Sequence, residues 1–127
     1  MLGTVTGVAG KLPELLYGQF STTVMSIDHN VGKVGHSWDD KRHTNYTEWA
    51  RSQNFTKGDR LIFEFHFGTH NVAEVTREVY QNCDTPPHKS VIQISPAIFT
   101  LTTIGFHHYI CTKDCKTHKF YVFVADK

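Results

Sequence analysis

Between Arg60 and Phe67 the chain alternates residue by residue. Leu61, Phe63, Phe65 and Phe67 point one way; Arg60, Glu64 and His66 point the other. A period of two marks a β-strand with one buried face and one wet face. Turn signals bracket it, Lys57-Gly58-Asp59 before and Gly68-Thr69 after, and His70–Val75 resumes as a strand. Thr22–Ile27, Val91–Ile94 and Ile98–Thr103 read as further strands. A closing hairpin is built on Tyr109, Ile110, Phe120, Val122 and Val124, all good strand formers. About seven short strands separated by turns indicate an all-β sandwich. Two short helices interrupt it. Asn45 caps one that runs to Ala50, with Glu48 three residues on as in a capping box, and Tyr46 and Trp49 share its inward face. Thr76 caps the other, which runs to Asn82 and delivers Cys83. Trp38, Trp49, Met25 and the Phe stripe are expected in the core.

Bulk properties narrow the function. The 127 residues suffice for one domain with a real core. A net charge of +1 without a basic stripe gives no footprint for nucleic acid. No apolar run approaches the roughly 20 residues of a membrane span. Residues 1–20 are small and weakly apolar, with no basic start and no apolar centre. They do not read as a signal peptide and are set apart as an N-terminal extension, leaving 21–127 as the domain. Asn45-Tyr46-Thr47 and Asn54-Phe55-Thr56 are sequons that make Asn45 and Asn54 glycan acceptors on a secretory route. No Gly-x-Ser-x-Gly, phosphate loop or paired carboxylates appear, so an enzyme is not expected.

The chemistry concentrates in the last hairpin, whose loop holds Cys111, Cys115 and His118. A soft thiolate and an imidazole on one short loop between strands are the makings of a copper site in a β-sandwich. Cys83 and His70 lie upstream as further candidates. Three cysteines suit one disulfide and one free thiolate, or metal ligands and plain thiols in a reducing compartment. Cys83, Cys111, Cys115 and His118 also have the composition of a structural zinc site. His107, His108 and His66 are alternative imidazoles, His66 on the wet face of its strand. Without a metal, Cys111 is a small buried hydrophobe and His70 a hydrogen-bonded surface histidine.

Five ordered segments carry a resemblance. They are Tyr46-Thr47-Glu48-Trp49, Phe55-x-Lys57-Gly58-Asp59-x-Leu61-x-Phe63, His70-Asn71-Val72, Tyr80-x-x-Cys83 and Gly105-x-x-x-Tyr109-Ile110-Cys111. From about Val24 onward the chain resembles the phytocyanins, the plant cupredoxins that include stellacyanins, uclacyanins, plantacyanins and early-nodulin-like proteins. The resemblance implies a cupredoxin-like Greek-key β-sandwich and a Cys83–Cys115 disulfide. It also implies one copper ion with His70 and Cys111 as ligands. The loop departs from the family pattern: it is shorter, Asp114 stands where the second copper histidine belongs, and His118 falls near the axial position, as third or axial ligand. The function implied is blue-copper-type electron transfer in the apoplast or at the cell surface, as a monomer meeting a transient redox partner, with an atypical copper site. The alternative is a metal-free early-nodulin-like domain that binds a cell-surface ligand.

Overall fold

In a computed structural model the described residues are 25–32, 38 and 45–126. The N-terminal extension, the Thr22–Val24 start of the first expected strand and the Gly35 turn lie outside them. Among the described residues there are seven strands in two sheets. They are β1 (Asp28–Asn30), β2 (Phe55–Thr56), β3 (Arg60–Phe63), β4 (Ala73–Val75), β5 (Ala97–Thr100), β6 (Gly105–Ile110) and β7 (Lys119–Ala125). Helices α1 (Tyr46–Arg51) and α2 (Arg77–Asn82) lie between them.

One sheet has the order β1-β3-β5 and the other β2-β7-β6-β4. β1 runs parallel to β3, with His29 opposite Leu61, and β2 runs parallel to β7, with Phe55 opposite Val124. The remaining neighbours are antiparallel; the longest ladder pairs Gly105 with Val124 and Ile110 with Lys119. Leu61 and Phe63 from one sheet meet Tyr109, Phe120, Val122 and Val124 from the other in a single buried cluster. Trp38 stands edge-on to Phe63 at 5.0 Å between ring centroids, and Phe63 stacks on Phe120 at 5.8 Å. Such contacts add to the burial of large rings. The architecture is the cupredoxin-like sandwich expected.

Both helices begin as their caps dictate. Asn45 Oδ1 accepts the Glu48 N–H at 3.1 Å, and Tyr46, Trp49 and Ala50 face inward. Thr76 Oγ1 accepts the Val79 N–H at 3.2 Å. Asp59, fully buried, ties the strand starts together. It accepts N–H groups from Ile27 and Thr56 at 3.1 and 3.0 Å and His29 Nε2 at 2.9 Å.

Four expectations are corrected. Phe67 does not continue the inward stripe: it is 82% exposed, because β3 ends at Phe63 and the chain turns, with the Thr69 N–H donated to His66 O. Met25 is 75% exposed rather than core. Of the first expected strand, the described part, residues 25–27, lies outside any strand; the strand found is Asp28–Asn30, which lie beside Arg60–Ile62. Val91–Ile94 forms no strand, only an isolated bridge between Val72 and Ile92; Gln93 and Ile94 are exposed there.

Candidate metal centre

The β6–β7 connection, residues 111–118, is short and internally bonded. Cys111, fully buried at the end of β6, donates its N–H to His118 O at 2.9 Å and so closes the loop across its base. Inside it, Asp114 O accepts the N–H groups of Thr117 and His118 at 3.1 and 2.8 Å, which makes one helical turn. Cys115, on that turn, is joined to Cys83 with Cα atoms 5.8 Å apart. Cys83 occupies the C-cap of α2 with φ of 53°, a left-handed conformation that non-glycine residues seldom adopt, and from there reaches the loop. Cys111 remains the free thiol. With two sulfurs in the bridge, the Cys83, Cys111, Cys115, His118 zinc set does not form, and that expectation is withdrawn.

The facing loop carries His70 and is latched to the first by its neighbour. Asn71, 1% exposed, donates Nδ2–H to Thr112 Oγ1 at 2.7 Å and accepts the Thr112 N–H at 2.8 Å. Its carbonyl accepts Trp38 Nε1–H at 2.8 Å. Lys113 Nζ adds a bond to Gly68 O at 2.9 Å. Gly68 has φ of +86°, which suits a glycine at the turn.

This latch brings His70 Nδ1 to 3.4 Å from Cys111 Sγ. Nitrogen and sulfur bound to one first-row ion at about 2.0 and 2.3 Å, at a near-tetrahedral angle, stand roughly 3.5 Å apart. The pair fits a shared ion as it stands. His118 is buried against Trp38 and Tyr46, at 5.2 Å from each ring, and its ring lies over His70 at 4.2 Å and 18°. The ligand atoms of His70, His118 and the exposed Asp114 fall within 4.8 Å of one another. Two donors on one ion at about 2.1 Å are separated by no more than about 4.2 Å, so the group needs a small contraction. An imidazole lone pair lies in its ring plane, so two nearly parallel rings do not converge on one point. One of them must swing out of the stack to share an ion with the other. With that rotation the donor set of two imidazoles, one thiolate and one carboxylate suits a borderline transition metal.

The other candidate imidazoles lie elsewhere. His66 is exposed. His107 bonds Glu74 at 2.9 Å and Thr103 O at 2.8 Å. His108 packs on Tyr80 at 5.1 Å; burial, with the Arg77 and His107 charges, lowers its pKa. Two site residues carry roles that the sequence did not assign to them. Asn71 belongs to the His-Asn-Val segment, but nothing local announces that its side chain ties two loops. Asp114 read as a lost histidine, although its spacing of four from His118 is the signal for one face of a helical turn.

Residues 38–119 match the family described as Plastocyanin-like domain. Blue copper protein 1a of Medicago truncatula is 34% identical over 94 residues, which are 72% of this chain and 55% of that protein. Stellacyanin of Toxicodendron vernicifluum is 36% identical over 81 residues, covering 63% of this chain and 66% of that one. The solved structure of cucumber stellacyanin with Cu2+ superposes with a TM-score of 0.70 at 30% identity, over 82% of this chain and 99% of that chain. The chain spans about half the length of the blue copper proteins it matches.

Proposed function

This chain belongs to the phytocyanin family of plastocyanin-like proteins, and from that we propose that it is an extracellular copper protein carrying single electrons. His70, Cys111 and His118 are its copper ligands, in a centre made atypical by Asp114. The observation that carries the proposal is the 3.4 Å approach of His70 Nδ1 to Cys111 Sγ. Copper supplies a one-electron couple. The chain supplies a fully buried thiol at the end of β6, a His118 ring rooted among Trp38 and Tyr46, and the Asn71 latch that holds the two loops in register. Constraint of this kind favours electron transfer, since little then rearranges between oxidation states. His70, only partly buried, is the ligand a transient redox partner meets, and the protein acts as a monomer.

The Cys83–Cys115 bridge supports an extracellular setting, where disulfides persist. The names of the relatives support copper. Asn45 and Asn54 are both exposed, at the two ends of α1. The Asn45 cap uses only Oδ1, which leaves its amide nitrogen for a glycan.

Titration with Cu(II) tests the proposal. One equivalent should bind and give an intense visible thiolate-to-copper absorption, lost in Cys111→Ser and weakened in His70→Ala. In His118→Ala, loss of the absorption marks an equatorial ligand and a shifted potential an axial one. Substoichiometric copper without the absorption refutes the proposal. It leaves the metal-free cell-surface binding domain, a reading favoured by the stacking of His70 on His118, which turns the two rings toward each other instead of toward an ion.

A further inference from the structure

Asp114 is the hard donor of the site, and the loop sets its exposed carboxylate beside the two imidazoles. The turn closed by the His118 N–H on Asp114 O at 2.8 Å sets the two side chains four residues apart on one helical face. His70 comes to them from the opposite loop, and the three ligand atoms lie within 4.8 Å of one another. Cys111 Sγ approaches His70 at 3.4 Å. Two donor sets therefore meet at His70: it approaches a buried thiolate on one side and joins His118 and an exposed carboxylate on the other.

The sets differ in the ion they prefer. Thiolate selects soft Cu(I), whereas imidazole with carboxylate suits harder divalent ions, of which Cu(II) binds most tightly in the first-row order. We propose that Asp114 is a metal ligand, and that with His70 and His118 it forms a divalent-metal site that does not need the Cys111 thiolate. The inference deepens the copper reading of this loop pair and rests on it for the choice of ion. Asp114 then compensates for the histidine that the shortened loop lacks. It does so with a negative charge, which favours the more highly charged ion.

The test is calorimetric titration of the disulfide-intact protein with Cu(II), with electron paramagnetic resonance on the same samples. Cys111→Ser should still bind one Cu(II), with nitrogen hyperfine structure from two imidazoles and none of the intense thiolate absorption. Adding Asp114→Asn to that variant should weaken binding by about a hundredfold, at least what loss of an outer-shell partner costs. Cys111 is buried, so a second arm avoids touching it: Asp114→Asn in the otherwise intact chain should weaken Zn(II) binding by a similar factor in chelator competition. The inference is overturned if Cys111→Ser folds but takes up no Cu(II), or if Asp114→Asn leaves the affinity unchanged in both arms. Failure of the electron-transfer proposal shows elsewhere, as missing thiolate absorption in the unsubstituted chain, and does not alter these results.

Discussion

Replacing both Cys83 and Cys115 by serine should lower the melting temperature more than any single surface substitution. The bridge spans a sequence separation of 32. In the chain-entropy account a ring of that length removes roughly 12–13 cal/mol/K from the unfolded chain, about 4 kcal/mol at 25 °C. A chain of 127 residues unfolds with an entropy of roughly 270 cal/mol/K near its midpoint, so the expected fall is about 14 °C. Packing adds in the same direction, since Cys115 is 9% exposed in a cluster with Ala73 and Ile110, where a hydroxyl is less at home than sulfur. Differential scanning calorimetry of the intact protein and the double variant measures the shift. Cys115 also lies between Asp114 and His118, so the same variant should bind Cu(II) more weakly; a bridge that only restrained the unfolded chain would leave that affinity alone. A fall of less than about 5 °C would refute the entropic reasoning. A peptide map showing Cys111 in the bridge would remove the thiolate from the metal centre.

Asp59 should set an acid limit on stability. Burial pushes its pKa up, but the bonds from His29, Thr56 and Ile27 outweigh that and hold it below the ordinary 3.8. A depressed folded value means stability that is complete well above 3.8 and lost as pH falls through the folded pKa, so urea midpoints should drop at the acid end in the native chain and less steeply in Asp59→Asn. Asp59→Ala, which strands His29 and two N–H groups, should cost about 3–5 kcal/mol in the same assay. Asn71→Ala should cost about 1–3 kcal/mol by leaving the Thr112 N–H without its acceptor, and hydrogen exchange should report that amide as newly unprotected. Phe63→Ala should cost about 3–5 kcal/mol in urea unfolding, as expected for an aromatic ring removed from a packed core; a loss under about 1 kcal/mol would mean that the two sheets do not meet there.

Elements governed by local chemistry were legible in the chain. The caps at Asn45 and Thr76, the Lys57-Gly58-Asp59 turn and the final hairpin follow from residues within one turn of each other. The errors fell where a distant segment decides the outcome. Phe67 continues the period of Leu61 and Phe63, but the ladder partners of β3 run out at Ala97, which lies opposite Phe63, and without a partner the alternation has no sheet to belong to. Val91–Ile94 has strand composition yet bridges to another segment's backbone only at Ile92. Residues 25–27, the described end of an expected strand, lie outside any strand because pairing starts at Asp28, opposite Arg60 across the fold. In the site, the cysteines and histidines announced themselves by type. Their grouping depends on Asn71, whose amide differs in no way from a solvated one until Thr112 is placed beside it. Asp114 was legible as a departure from a pattern, whereas its value as a donor depends on the turn that aims it.

Trp38 makes the centre optically self-reporting. Its indole is fully buried, bonded to Asn71 O and edge-on to His118 at 5.2 Å. Emission from such a ring is blue-shifted and would be quenched by a paramagnetic ion on the proposed ligand His118. The second tryptophan, Trp49, faces Phe120 at 5.7 Å and supplies a comparison within the same core. Metal uptake, exchange between ions and any turning of the His70–His118 pair are therefore readable from native fluorescence, with Trp38→Phe removing the signal and no label placed near the site.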